Sequence, residues 1–332
     1  MATVLYDTGI NPSLIRARRV AVLGFGAQGR AQAMNLRDSG VSVSVALRAG
    51  SASHAAAEAM GLRTVAPEVA VAKADVVAML IPDEAQPRIY AEVVASAMRK
   101  NGMLVFAHGY NIHYQRIVPR ADLDVVMVAP SGIGEQVRAQ YQAEHGVPAF
   151  IAVHQDATGN ARALALSYAW AQGHGRAGII ETSFREETET DLFAEQAVLC
   201  GGLTHLIAAA FDTLVDAGYA PEMAYFSCLH EVKFMADMIH KNGIAGMRDS
   251  ISSTAEFGDY TRGQRVIGEA SRLAMKDMLN EIRSGQFATE LGREMDAGMP
   301  TMKVERIRAR AHLIETVGKA LRERMRSRGR SG

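Results

Sequence analysis

From Arg19 onward the chain repeats one pattern: a short apolar run without regular polar alternation, then a helical stretch. Val20–Leu23, Val41–Leu47, Val76–Ile81, Leu104–Ala107, Val125–Ala129 and Phe150–Val153 read as strands, with helices such as Gln28–Asp38 and Glu84–Met98 between them. A strand buried on both faces has no solvent side to make polar, so this pattern predicts a parallel sheet covered by helices above and below. After about Glu181 the strand signal stops. Helices are expected over Thr190–Ala217, ended by Gly218; Pro221–Lys241, ended by Asn242-Gly243; Gly263–Ser284; and Val304–Arg324. The class is α/β followed by all-α: a Rossmann-type parallel-sheet domain over residues 1–182 and a helical domain over 183–332. Gly201-Gly202 inside a long helix costs roughly 1 kcal/mol per residue, which predicts close packing of another backbone or a local kink there. The Arg-rich end, Arg322 to Gly332, reads as a frayed, solvated tail.

A chain of 332 residues, 48% hydrophobic, suits two domains. Its 36 basic and 36 acidic residues balance, so no global charge draws it to nucleic acid or an anionic membrane. The first residues contain no apolar core of signal-peptide length, and no run reads as a membrane span, so a cytoplasmic small-molecule enzyme is expected. Cys200 and Cys228 have no zinc-like or redox spacing and read as buried thiols.

Gly24-Phe25-Gly26-Ala27-Gln28-Gly29 follows the first long strand and opens a helix. In that context the glycines permit a tight turn and let backbone N–H groups reach a pyrophosphate. After the next strand, where an NAD-selective chain usually carries a carboxylate, stand Arg48, Ser51 and Ser53. A cation and two hydroxyls can hold a 2′-phosphate, so NADPH is the expected cofactor; the alternative is that Arg48 is merely solvated.

Asp191 and Glu195 lie four residues apart where an acidic helix entry meets the apolar stretch from Ala197 to Ala210. Both carboxylates leave one helix face, which is expected to be buried. No Lys or Arg occurs between Glu186 and Ala220, so a cation from outside the chain is the economical partner, and oxygen ligands favour Mg²⁺. The competing reading is a pair satisfied by the helix dipole.

Taken together, Gly24 to Gly29, Leu80-Ile81-Pro82-Asp83-Glu84, Ala107-His108-Gly109-Tyr110-Asn111-Ile112-His113, Val128-Ala129-Pro130, Ala152 to Ala157, Glu186 to Gln196 and Ser250 to Asp259 resemble the short-chain (class I) ketol-acid reductoisomerases over nearly the whole length. The resemblance implies a nicotinamide-binding sheet domain, then a knotted helical domain. It also implies two Mg²⁺ ions holding an acetohydroxy acid during alkyl migration and NADPH reduction, in branched-chain amino acid biosynthesis. It places nucleotide contacts at Phe25, Gly26, Ala27, Gln28, Arg48, Ser51, Ser53, Asp83, Glu84, Ala85, Gln86 and Gly134, and makes His108 catalytic. Asp191 becomes the bridging carboxylate, Glu195 a ligand of the first ion and Glu231 of the second. Glu231 and Ser252, the latter touching substrate, would come from the second subunit of a homodimer with shared sites, alone or within a larger assembly.

Two positions depart from the family pattern. Ser131 stands in Ala129-Pro130-Ser131-Gly132-Ile133-Gly134 where the family carries lysine, and Ser227 in Tyr225-Phe226-Ser227-Cys228 where it carries a metal-binding glutamate. One positive and one negative group are lost together, so formal charge is preserved. Glu135 could supply a replacement oxygen, although a loop carboxylate reads more simply as solvated. The expected function is a reductoisomerase with altered efficiency or substrate. The alternatives are an NADPH-dependent 2-oxo acid or imine reductase without isomerase activity, and a non-catalytic NADPH-binding dimer.

Overall fold

The computed structural model describes residues 3–328. Nine strands form one sheet: β1 (Val4–Leu5), β2 (Arg19–Leu23), β3 (Ser42–Ala46), β4 (Arg63–Val65), β5 (Val76–Met79), β6 (Met103–Phe106), β7 (Asp124–Pro130), β8 (Ala149–Gln155) and β9 (Ile179–Glu181). Their order across the sheet is β1-β9-β8-β7-β6-β5-β2-β3-β4. All six expected apolar runs are strands. The sheet is mixed, however: β7 pairs antiparallel with β8, and β1 with β9, while the other neighbours are parallel. An apolar run carries no sign of its direction, so the parallel expectation fails at these two joins.

Both faces are covered, as the strand composition requires. Val20, Val22, Val45, Val76, Val105, Val126 and Val128 pack on one side with the helices Ala27–Asp38 and Ala161–Ala171. Ala21, Leu23, Val77, Met79, Leu104, Phe106 and Met127 pack on the other with Pro67–Lys73 and the stretch 86–98. The chain divides into two compact units between Thr190 and Asp191.

One helix runs from Phe184, in the first unit, to Asp216, in the second, beginning six residues before the expected start, and is π-helical over Glu195–Leu199. The Cys200 amide reaches back five residues to the Glu195 carbonyl at 2.9 Å. That wider turn swings carbonyls under Gly201 and Gly202: a Cβ on either would collide with the Gln196 or Ala197 oxygen. The close atoms belong to the helix itself, so the glycine pair marks the local distortion expected of it and not the packing of another backbone. Contrary to the reading that no run approaches a membrane span, Phe184–Asp216 contains an 18-residue window of mean hydropathy 1.7. Glu195, Gln196, Thr204 and His205 interrupt the run and mask this in the sequence.

The next helix pair, Pro221–Tyr225 and Val232–Arg248, flanks a second π segment, Phe226–His230, and breaks at Gly243, whose φ is 73°. The expected helix Gly263–Ser284 is in fact two, Ser253–Val266 and Glu269–Ser284, because the backbone leaves helical angles at Ile267 and Gly268. Gln286–Asp296 is a further helix. Val304–Arg324 is likewise two, Pro300–Ala311 and Leu313–Arg328, split at His312. The expected tail thus begins inside a helix: Arg322 donates to the Tyr225 hydroxyl at 3.1 Å, whereas residues 329–332 lie outside the described residues. Cys200 is exposed and Cys228 half-buried, against the expectation of buried thiols, because both lie on helices whose apolar surface is largely uncovered in a single chain.

Candidate active site

The fingerprint loop is built at the carboxyl end of β2. Gly24 has φ +99°, a left-handed conformation that favours glycine, and a Cβ there would stand 2.6 Å from the Leu80 carbonyl oxygen. A Cβ on Gly29 would strike the Gly24 carbonyl. The turn therefore needs glycine for both conformation and space, and the helix Ala27–Asp38 begins directly behind it. Gly134 opens the helix Gly134–Gln142 against the Ala27 carbonyl, so closely that no side chain fits. Gln28 donates to the Gly132 carbonyl at 2.9 Å.

A cavity of about 400 Å³ opens over this loop, lined by Gly24, Phe25, Gly26, Ala27, Gln28, Met79 to Asp83, Gln86, Ala107, His108 and Pro130. Gln86 is buried and donates to the Ile81 carbonyl and to Asp83, each at 3.0 Å, which fixes the segment between β5 and its helix. Asn111 donates to the Asp83 carbonyl and to Gln86 Oε1, each at 3.0 Å. The cavity thus gathers Gly24 to Gln28, Asp83, Gln86 and His108, while Gly29, packed against the Gly24 carbonyl, does not line it. Glu84, Ala85, Arg48, Ser51, Ser53 and Gly134 do not line it. Arg48 lies beyond β3, its carbonyl 3.2 Å from His54 Nε2, and the Ser53 amide donates to Ser51 Oγ at 3.3 Å.

His108 Nδ1 stands 3.0 Å from Glu187 Oε1, and the Gly109 amide donates to Glu187 Oε2 at 2.9 Å. Both oxygens of this buried carboxylate are therefore engaged, so Glu187 orients the imidazole. The bond fits the tautomer with a proton on Nδ1, leaving Nε2 as the other ring nitrogen. Asp191 is the first residue past the division between the units but lies on the same unbroken helix, one turn beyond Glu187. Ligand atoms of His108, Glu187 and Asp191 all lie within 4.8 Å of one another. Sequence reasoning missed Glu187. The signal was present, because Glu187, Asp191 and Glu195 recur every fourth residue and so share a helix face.

Nearby, burial pushes the His113 imidazole below its ordinary value. Burial also pushes the Tyr114 phenol up to about 12, helped by Glu189 and Tyr110.

The acidic pair departs from expectation: Asp191 and Glu195 are exposed, and Leu192 turns inward instead. In the second unit, considered alone, Glu195 is the first residue of one π segment and Glu231 directly follows the other, which contains Ser227. π segments are frequent at functional sites. Ser227 and Glu231 are exposed. Ser252 caps the helix Ser253–Val266, accepting the Ala255 amide at 3.2 Å. In the first unit Ser131 is exposed and its amide donates to the Pro148 carbonyl at 2.8 Å, while Glu135 is exposed in the first turn of its helix.

The sheet, its glycine turn and the cavity at the strand ends define a nicotinamide-dependent oxidoreductase acting on a small molecule. Residues 14–178 match the family model described as acetohydroxy acid isomeroreductase, NADPH-binding domain, and residues 184–327 match ketol-acid reductoisomerase, C-terminal domain. The chain is 41% identical to an NADH-preferring ketol-acid reductoisomerase from an uncultured archean, over 97% of this chain and 98% of that one, with a TM-score of 0.94. This chain belongs to the ketol-acid reductoisomerase family, and its function is ketol-acid reductoisomerase-like.

More distant structures share the fold alone. An NAD-binding semialdehyde dehydrogenase protein from Cupriavidus necator is 19% identical over 80% of this chain and 99% of its own, with a TM-score of 0.61. An oxidoreductase from Jannaschia sp. CCS1 is 16% identical over 80% and 97%, with a TM-score of 0.59.

Proposed function

We propose that this enzyme uses NADPH and Mg²⁺ to convert a 2-acetohydroxy acid into a 2,3-dihydroxy acid, as a cytoplasmic step of branched-chain amino acid biosynthesis, with the isomerisation half weakened. The reading rests above all on the cavity that joins the glycine turn to His108, with Glu187 fixing the imidazole behind it. The turn residues, with Asp83 to Gln86 and Gly134, seat the dinucleotide. Arg48, Ser51 and Ser53 take its 2′-phosphate, because a guanidinium and two hydroxyls match a dianion. The relative 41% identical to this chain is described as NADH-preferring; the NADPH preference proposed for this chain rests on Arg48, Ser51 and Ser53.

Asp191 and Glu195 fit a hard divalent ion, since both are exposed carboxylates near one another on one helix, and Glu231 joins the set from a second copy. When bound, Mg²⁺ polarises the substrate's oxygens and stabilises developing negative charge. His108, with Nδ1 held by Glu187, presents Nε2 to exchange a proton with substrate oxygen. Ser227 offers a neutral hydroxyl where the family carries a carboxylate, so a second ion is held more weakly.

A homodimer is part of this proposal. In the second unit the buried cluster Phe211, Ala224, Tyr225 and Ile314 is small, while Leu199, Met223, Phe234, Phe257 and Ile307 stay exposed. Apolar surface of that extent calls for a partner, here a second copy. A crystal structure with NADP⁺, Mg²⁺ and a 2-hydroxy acid analogue tests the whole reading by counting ions. One well-occupied ion at Asp191 and Glu195, with a weaker or absent second, supports it; ions bound elsewhere refute it.

A further inference from the structure

We infer a second anion site, on the amino-terminal edge of the sheet opposite the cofactor loop, that takes a phosphate group. The argument begins with β3. Its sequence alternates Ser42-Val43-Ser44-Val45, and Val45 packs in one core while Ala46 packs in the other. Ser42 and Ser44 therefore share the face of Ala46. On that face Ser42 lies beside Arg19 of β2, and Ser44 lies between Ala21 of β2 and Arg63 of β4. The helix Pro67–Lys73 covers the apolar ends of these strands and finishes at Lys73. A cavity of about 150 Å³ remains, lined by Arg19, Ser42, Ser44, Arg63 and Lys73 with Val43, Val65 and Val69.

Charge in this corner is one-sided. Asp75 is bound by Arg19, whose amide and guanidinium donate to it at 2.8 and 3.1 Å, and by Arg99. The charged residues that line the cavity are thus three cations, Arg19, Arg63 and Lys73, of which Arg19 is paired with Asp75. Among the described residues Ser42, Ser44, Arg63 and Lys73 make no side-chain hydrogen bond or ion pair, so their donors remain available. Two hydroxyls, a planar guanidinium fork and a point charge around so small a space match a tetrahedral dianion and exclude anything of nucleotide size. The edge lies at the start of β2, β3 and β4, whereas the cofactor loop follows the end of β2, so the two sites are distinct.

The test is isothermal titration of the NADPH-saturated, Mg²⁺-free protein with inorganic phosphate at constant ionic strength. Saturating cofactor keeps the probe out of the Arg48 region. One saturable event per chain is expected, weakened at least tenfold in Arg63→Ala and in Lys73→Ala, with Ser44→Val weaker than wild type. Arg63 and Lys73 are exposed, so circular dichroism of these variants should be unchanged. Glycerol 3-phosphate distinguishes the source: equal binding points to a phosphomonoester, and its exclusion to the free ion. Heats no different from those of chloride, or phosphate binding undiminished in both cation variants, overturn the site.

Discussion

Glu187 Oε1 stands 3.0 Å from His108 Nδ1, while the other oxygen of the same carboxylate accepts the Gly109 amide. The imidazole is thereby held by a group that is itself fixed to the backbone. Loss of such an orienting partner costs roughly ten- to a hundredfold in activity. Glu187→Gln, which preserves volume, is expected to lower turnover by about that factor, with the KM for NADPH unchanged. Steady-state kinetics equal to wild type would remove Glu187 from the mechanism.

Arg48→Asp is expected to reverse or erase the preference for NADPH, because a carboxylate repels the 2′-phosphate and accepts from a ribose hydroxyl. Fluorescence titration with both cofactors measures it. Equal affinity of the unmodified protein for NADH and NADPH would count against the assignment of Arg48, Ser51 and Ser53.

Much of this was legible in the chain because the relevant signals are local. Apolar runs give strands wherever a strand is central, and the glycine turn carries its own steric demand. Three strands escaped: β1, Val4–Leu5, is only two residues long, and β4 and β9 are three residues each that mix apolar side chains with a charged one. The breaks at Gly268 and His312 also escaped, since neither carries a strong turn sequence. Glu187 was passed over because it stands among Glu186 and Glu189: the four-residue spacing to Asp191 and Glu195 places it on their helix face but does not say which of these carboxylates turns inward. The exposure of Asp191 and Glu195 has the same cause: an apolar helix does not declare whether its own chain or another copy covers it.

His174 gives a pH prediction for the first unit. It is fully buried, its Nδ1 donates to the Val147 carbonyl at 2.7 Å, and burial pushes its pKa down to about 4. The unfolded imidazole titrates near 6.5, above the folded value. The native state therefore loses stability as pH falls from about 6.5 toward about 4, by on the order of 3 kcal/mol, with no further loss from this residue below that. Urea unfolding followed between pH 7 and 4.5 should show this dependence, reduced in His174→Gln. An identical slope in the variant would refute it.

The exposed apolar helices predict that no active monomer exists. Sedimentation velocity at micromolar concentration should give a dimer or a multiple of it, and activity should fall upon dilution together with dissociation. A fully active monomer would refute the shared site.

The most direct measurement follows NADPH oxidation with two substrates across a range of Mg²⁺ concentrations. 3-Hydroxy-3-methyl-2-oxobutanoate needs reduction alone, whereas 2-acetolactate must first rearrange. The account predicts that direct reduction saturates at low Mg²⁺ and that acetolactate turnover is measurable but slower, rising at high Mg²⁺. It also predicts that Ser131→Lys combined with Ser227→Glu raises acetolactate turnover beyond the sum of the single changes. Direct reduction with no acetolactate turnover at any Mg²⁺ concentration would contradict it in favour of a reductase that does not isomerise, and no NADPH oxidation with either substrate would contradict it altogether.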